Sequence, residues 1–121
     1  MIDYIGLFVS DAAQYADFYE KLLAPLGYVK KVAYPTAVCF ANDEDGDSVW
    51  LESPKDGNPV VPSHVAFRAK DEAAVKAFHE AGLASGGTDN GAPGPRPNFG
   101  PTYYAAFIHD PDGNNIEAML S

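Results

Sequence analysis

Ile5-Gly6-Leu7-Phe8-Val9-Ser10-Asp11 recurs sixty residues later (71 − 11 = 60) as Val65-Ala66-Phe67-Arg68-Ala69-Lys70-Asp71. The same shift lays Phe18-Tyr19-Glu20 on Phe78-His79-Glu80, Leu23 on Leu83 and Gly27 on Gly87. Each copy reads as a short apolar strand, an aspartate helix cap, an amphipathic helix and a glycine stop. A supersecondary unit repeated in so short a chain predicts one fold built from two modules, with any shared site between them.

Working outward, Tyr15, Phe18, Tyr19, Leu22 and Leu23 recur at helical spacing, and Pro25 and Gly27 end their helix. Asp11 with Gln14, three residues on, resembles a capping box. Strands follow near residues 36–41 and 48–53, joined by Asp43-Glu44-Asp45-Gly46, where Asp-Gly suits a tight turn. Pro54, Gly57, Pro59 and Pro62 mark a linker. The second copy has a strand at 63–69, then a helix capped by Asp71 with Val75, Phe78, His79 and Gly82 on one side. Residues 85–101 carry too many glycines and prolines for regular structure beyond one short strand near 92–96, the counterpart of one near 30–34. Thr102–His109 and Asn114–Leu120 close the chain around Asp110-Pro111-Asp112-Gly113. That turn lies 67 residues after its counterpart (113 − 46 = 67), so the second copy is seven residues longer ahead of it. The expectation is an α+β fold: two tandem β-α-β-β-β modules, about 1–56 and 62–121, whose sheets form a shared open cup, with helices near 11–24 and 71–84.

Composition narrows the function classes. The chain has 121 residues, enough for one domain with its own core. Its net charge of −9 disfavours nucleic acid and anionic membranes as partners. No run of about 18 apolar residues offers a membrane span, and acidic Asp3 and Asp11 bracket an opening stretch unlike a signal peptide. A lone Cys39 permits no disulfide framework and fits a reducing cytoplasm. In the strand Thr36-Ala37-Val38-Cys39-Phe40 it reads as a small buried hydrophobe. Phosphate loops, nucleophile elbows, paired Cys-x-x-Cys and basic aromatic motifs are absent.

Period-two alternation assigns the faces. Ile5, Leu7 and Val9 should pack on the helix, leaving Tyr4, Gly6 and Phe8 toward the cup. Likewise Val65 and Phe67 pack outward while His64, Ala66 and Arg68 face in. Asn115, Glu117 and Met119 face in from the last strand. The 67-residue shift lays Trp50 over Glu117, which places Ser48, Trp50 and Glu52 inside. Tyr103 and Tyr104 must point to opposite faces, so only one serves the cup.

Ile2-Asp3-Tyr4-Ile5-Gly6-Leu7, Ser10-Asp11 before a helix with Phe18-Tyr19, and the ending Asp110-Pro111-Asp112-Gly113-Asn114-Asn115-Ile116-Glu117 resemble the vicinal oxygen chelate superfamily. This is the group of glyoxalases, bleomycin-resistance proteins and extradiol dioxygenases, and the resemblance is closest to its small glyoxalase-like proteins. It implies paired β-α-β-β-β modules, frequent homodimers and, in many members, a divalent metal in the cup. The four metal positions carried over by resemblance fall on Tyr4, Trp50, His64 and Glu117. An imidazole and a carboxylate suit zinc, nickel, iron or manganese, but Trp50 has no lone pair to offer and a neutral phenol at Tyr4 is a poor ligand. The reading therefore favours no metal cofactor; if one binds, His64 and Glu117 hold it, with Glu52 the nearby candidate for a further ligand.

Two functions compete. In the first, a small oxygen-rich molecule enters the cup, Glu117 moves a proton, and His64 or Arg68 steadies an enolate-like charge, as in a lyase or isomerase. In the second, a metal-free cup lined by Trp50, Phe8, Met119 and the tyrosines Tyr4 and Tyr103 sequesters a ligand, as bleomycin-resistance proteins do. Arg96, among prolines, can clamp an anion at the cup mouth. The plain alternatives are that Glu117 forms a salt bridge with Arg68, that His64 is a hydrogen-bonded interior histidine, and that Trp50, Phe8 and Met119 only fill space. Partners on either reading are a small-molecule ligand and a second copy of the chain.

Overall fold

The computed structural model describes residues 1–56 and 58–121; Gly57, in the expected linker, lies outside the described residues. The first module runs β1 (Tyr4–Phe8), α1 (Ala12–Leu23), β2 (Val29–Tyr34), β3 (Ala37–Asn42) and β4 (Asp47–Glu52). The second runs β5 (His64–Arg68), α2 (Glu72–Ala84), β6 (Thr88–Pro95), β7 (Tyr104–His109) and β8 (Asn115–Leu120). The sheets, ordered β1-β4-β3-β2 and β5-β8-β7-β6, share one topology, remain separate and do not close into a barrel.

The repeat is obeyed to the residue in the parallel strand pairs. β1 runs parallel to β4 with Tyr4 opposite Ser48, Gly6 opposite Trp50 and Phe8 opposite Glu52. β5 runs parallel to β8 with His64 opposite Asn115, Ala66 opposite Glu117 and Arg68 opposite Met119. Adding 60 on the first strand and 67 on the last converts one register into the other. A parallel pair needs a long crossover, and each helix supplies it.

Local chemistry sets the helix ends. The Asp11 carboxylate accepts from the Gln14 amide at 3.1 Å and that of Asp71 from the Ala74 amide at 2.8 Å, so both aspartates are the caps their spacing promised. Ala24–Leu26 tightens into a 3-10 turn after α1, and Gly27 stops it at φ +92°, a backbone state that favours glycine. The strand faces toward the helices supply one continuous core across both modules, including Leu7, Phe40, Leu51, Phe67, Phe78 and Ile116. The helices pack on each other, and the Tyr28 ring meets Phe67 edge-on. Gly82 and Gly87 let α2 settle on Ile108; a Cβ at either would come within 2.8 Å of that side chain.

One element departs from expectation. Residues 85–101 contain an eight-residue strand, β6, beginning four residues before the short one anticipated near 92–96. Composition misleads because β6 is an edge strand. Pro93 and Pro95 lack an N–H, which an edge tolerates, and the ladder to β7 slips between Asp89 and Gly91 and again before Gly94.

Candidate functional site

Alternation held on the strands that carry the site. Tyr4, Phe8, His64, Ala66 and Arg68 are exposed on the sheet faces away from the helices, while Leu7 and Phe67 are buried on the other side. On β8, Glu117 lies on the open face yet is only 3% exposed. Two side chains cover it. The Tyr103 hydroxyl donates to Glu117 Oε2 at 2.6 Å, and His64 Nε2 lies 2.8 Å from Glu117 Oε1.

The local sequence explains how this pair meets. Opposite Glu117 on β5 stands Ala66, too small to fill the space, so His64 reaches across diagonally from two residues earlier. Ser63, just ahead of His64, is pinned by the Asn114 side chain and by the Asn115 amide. His64 therefore starts its strand at a fixed height on β8. Its ring remains 54% exposed, against 4% for the Glu117 side chain. A carboxylate accepts from Nε2–H at that contact, and in the neutral imidazole Nδ1 then carries the lone pair. Burial, the hydrogen bond to Glu117 and its charge, partly opposed by Arg68, push the Tyr103 hydroxyl up to about 12. Tyr103 is thus a neutral donor throughout the physiological range.

Three sequence readings need correction. Glu117 does not pair with Arg68; both its oxygens are taken by His64 and Tyr103, and Arg68, opposite Met119, makes no ion pair among the described residues. Arg96 is no free clamp, because its guanidinium donates to the carbonyls of Ala92, Gly94 and Pro95 and lies 5.4 Å from the Phe107 ring centre. Glu117 was expected to open on a cavity, but its burial leaves His64 as the exposed member of the pair. Of the two tyrosines, Tyr103 serves the open face and Tyr104 packs against the core.

Phe107 was missed. It stands opposite Glu117 on β7 and its ring lies 6.2 Å from that of His64. The alternation Tyr103, Ala105, Phe107 would have placed it there. Tyr34, also missed, lies parallel to Trp50 with ring centres 6.5 Å apart.

On module one, Trp50, Tyr4 and Glu52 line an open cavity of about 360 Å³. At the four positions where the resemblance implies metal ligands stand a phenol, an indole, an imidazole and a carboxylate, and the last two bond each other. Among the described residues no three His, Cys, Asp or Glu side chains come together as a ligand set. This donor set does not fit a first-row metal, whose structural and catalytic sites draw on three or four protein ligands.

A model of the glyoxalase/bleomycin resistance protein/dioxygenase superfamily matches residues 1–118. The chain belongs to that superfamily. Members of it supply similar solved structures. One is a glyoxalase/bleomycin resistance protein from Albidiferax ferrireducens T118, 29% identical, with a TM-score of 0.84 over 98% of this chain and 97% of that one. Another is lactoylglutathione lyase from Agrobacterium tumefaciens, 24% identical, with a TM-score of 0.70 over 98% and 92%. A glyoxalase-related enzyme from Fulvimarina pelagi, 18% identical, matches with a TM-score of 0.75 over 100% and 88%. Likeness to the last two shows the fold alone. No curated protein matches the chain.

Proposed function

We propose that this glyoxalase-like protein binds a small oxygen-bearing molecule against the open face of its second module and moves a proton there without a metal. The observation that carries this is the exposed His64 held at 2.8 Å by a buried Glu117, whose other oxygen Tyr103 occupies. The exposure of His64 and the burial of Glu117 support roles opposite to those read from sequence. Glu117 orients the imidazole; His64 Nδ1 takes the proton, and Arg68 on the same face offsets an oxyanion. The exposed side chains of β1 and β5 leave the face open, and a homodimer would cover it. A cytoplasmic setting agrees with the lone cysteine.

The test is deuterium uptake from D2O, followed by proton NMR, into a panel of small carbonyl compounds with an acidic C–H. The protein should accelerate exchange for at least one member, and His64→Gln should abolish the acceleration. Glu117→Gln should lower it while leaving ligand-induced shifts nearly intact. Binding without exchange across the panel would favour the second reading, a metal-free sequestering protein, which the exposed aromatic surface of module one supports.

A further inference from the structure

We propose that the cleft between the β3–β4 turn of module one and the end of β5 in module two binds a small zwitterion of the amino-acid class. The ligand takes the place of a fastening that the repeat makes once and leaves undone the second time. In the fastened junction, the β7–β8 turn grips the end of β1: Asp112 Oδ2 accepts from the Ser10 main-chain amide at 2.7 Å, and the Asn114 side chain donates to the Phe8 carbonyl. Shifts of 60 and 67 residues carry this junction to a second one, laying Ser10 on Lys70, Phe8 on Arg68, Asp112 on Asp45 and Asn114 on Asp47. The strand ends still match there, since the Ala69 amide donates to the Met119 carbonyl as the Val9 amide does to that of Glu52. The bonds across the second junction are not made. The Asp45 carboxylate accepts from Asn42 Nδ2 at 3.0 Å instead. Asp47 has no N–H to offer and accepts from the Tyr28 hydroxyl at 2.9 Å. The Lys70 main-chain amide, counterpart of the Ser10 amide, is therefore left with no hydrogen-bond partner among the described residues.

A cavity of about 440 Å³ occupies this unfastened junction. Arg68 and Lys70 line it from module two, Glu44 and Asp45 from module one, and Pro25 and Leu26 supply apolar surface. Glu44, Arg68 and Lys70 form no ion pair among the described residues. Arg68 also lies on the open face of its sheet, so Lys70 is the cation that belongs to this cleft. One wall thus presents a free main-chain N–H, of the kind its counterpart spends on a carboxylate, together with ammonium and guanidinium groups. The other presents carboxylates. Walls of opposite sign suit a ligand that carries both charges on one small body. Such a ligand has no net charge, so the −9 of the chain does not repel it. Its carboxylate restores at Lys70 the bond that Asp112 makes at Ser10, and its ammonium group meets Glu44 and Asp45. Bound there, it fastens the two modules at both junctions. This site does not depend on proton transfer by His64.

The probe is 5-aminopentanoate, titrated beside pentanoate and pentylamine, which each keep one of its two charges. Amide NMR reads the Lys70 N–H directly. The zwitterion should shift that resonance saturably and bind at least about tenfold tighter than either single-charge probe. Lys70→Gln and Glu44→Gln, both at exposed positions, should each weaken it several-fold without unfolding the chain. His64→Gln should leave the binding unchanged, which separates this cleft from the proton-transfer site. A Lys70 amide unmoved by 5-aminopentanoate would overturn the proposal. Equal affinity for the single-charge probes, or binding untouched by both Lys70→Gln and Glu44→Gln, would overturn it too.

Discussion

The Asn114 side-chain amide donates to the main-chain carbonyl of Phe8 at 3.0 Å, joining residues 106 positions apart. The same amide nitrogen reaches the Asp110 carboxylate, and the Asn114 oxygen accepts from the Ser63 amide. One fully buried side chain thus ties the end of β1, the entry to β5 and the last turn together. Asp110 in turn accepts from the Tyr19 hydroxyl on α1, whose own ionisation burial and Asp110 push well upward. The aspartate-rich ending that marks the superfamily is, in this chain, the clasp between modules.

Removing the clasp should be costly. Asn114→Ala leaves the Ser63 amide, the Phe8 carbonyl and the buried Asp110 carboxylate without these partners. An unmade bond costs about 1–3 kcal/mol where the group is buried, as at Asp110. Urea denaturation should show a loss of at least about 2 kcal/mol, since the network is shared rather than pairwise. A midpoint unchanged from the parent would show that the modules are held by helix packing alone.

Tyr103→Phe strips one donor from a carboxylate that is 3% exposed. The unpaired Oε2 should lower stability by about 1–3 kcal/mol. The loss should be measurable by thermal melting at pH 7, where the tyrosine hydroxyl is protonated.

Asp89 accepts from buried His79 at 2.9 Å and from the Gly91 amide, and these contacts hold its carboxyl below the usual range. A lowered folded-state value means the contribution is complete above the unfolded value of about 4 and is lost as pH falls through the folded one. Asp89→Asn should therefore melt lower than the parent at pH 6, and the two curves should converge toward pH 3. A gap that persists at pH 3 would assign the effect to geometry rather than charge.

Gly82→Ala drives a methyl into Ile108, which is fully buried and cannot swing aside. Overpacking of this kind costs about 1–3 kcal/mol, whatever alanine gains in helix propensity. Chemical denaturation of the variant against the parent reads the sign.

Protein purified without a histidine tag and dialysed should carry no stoichiometric zinc, nickel, iron or manganese by elemental analysis. Two donors leave most of a metal's coordination sphere to water, and the metal washes out. Retention at one metal per chain would identify Glu52 or an ionised Tyr4 as a further ligand.

Much of the fold was legible because period two and period 3.6 survive in single strands and helices. Tyr4, Gly6 and Phe8, and His64, Ala66 and Arg68, could be placed on one face from alternation, and both aspartate caps from spacing. The partner of Glu117 was not legible. Alternation says that His64, Arg68 and Glu117 share a face, and the register sets His64 and Arg68 two residues either side of Ala66, the neighbour opposite Glu117. Which of the two diagonal side chains reaches Glu117 is decided by side-chain geometry that the sequence does not carry. Strand β6 was hidden for a different reason: its glycines and prolines signal a loop in the middle of a sheet and are tolerated at its rim. Arg96 looked free because sequence shows no competition from main-chain carbonyls.

That arginine has a consequence for how chains meet one another. By folding back onto the carbonyls of Ala92, Gly94 and Pro95, beside prolines that offer no N–H, it leaves the outer rim of the second sheet poor in groups that another strand could zip onto. Prolines and occupied carbonyls of this kind make an edge strand a poorer template for another strand, so this rim disfavours strand-by-strand growth.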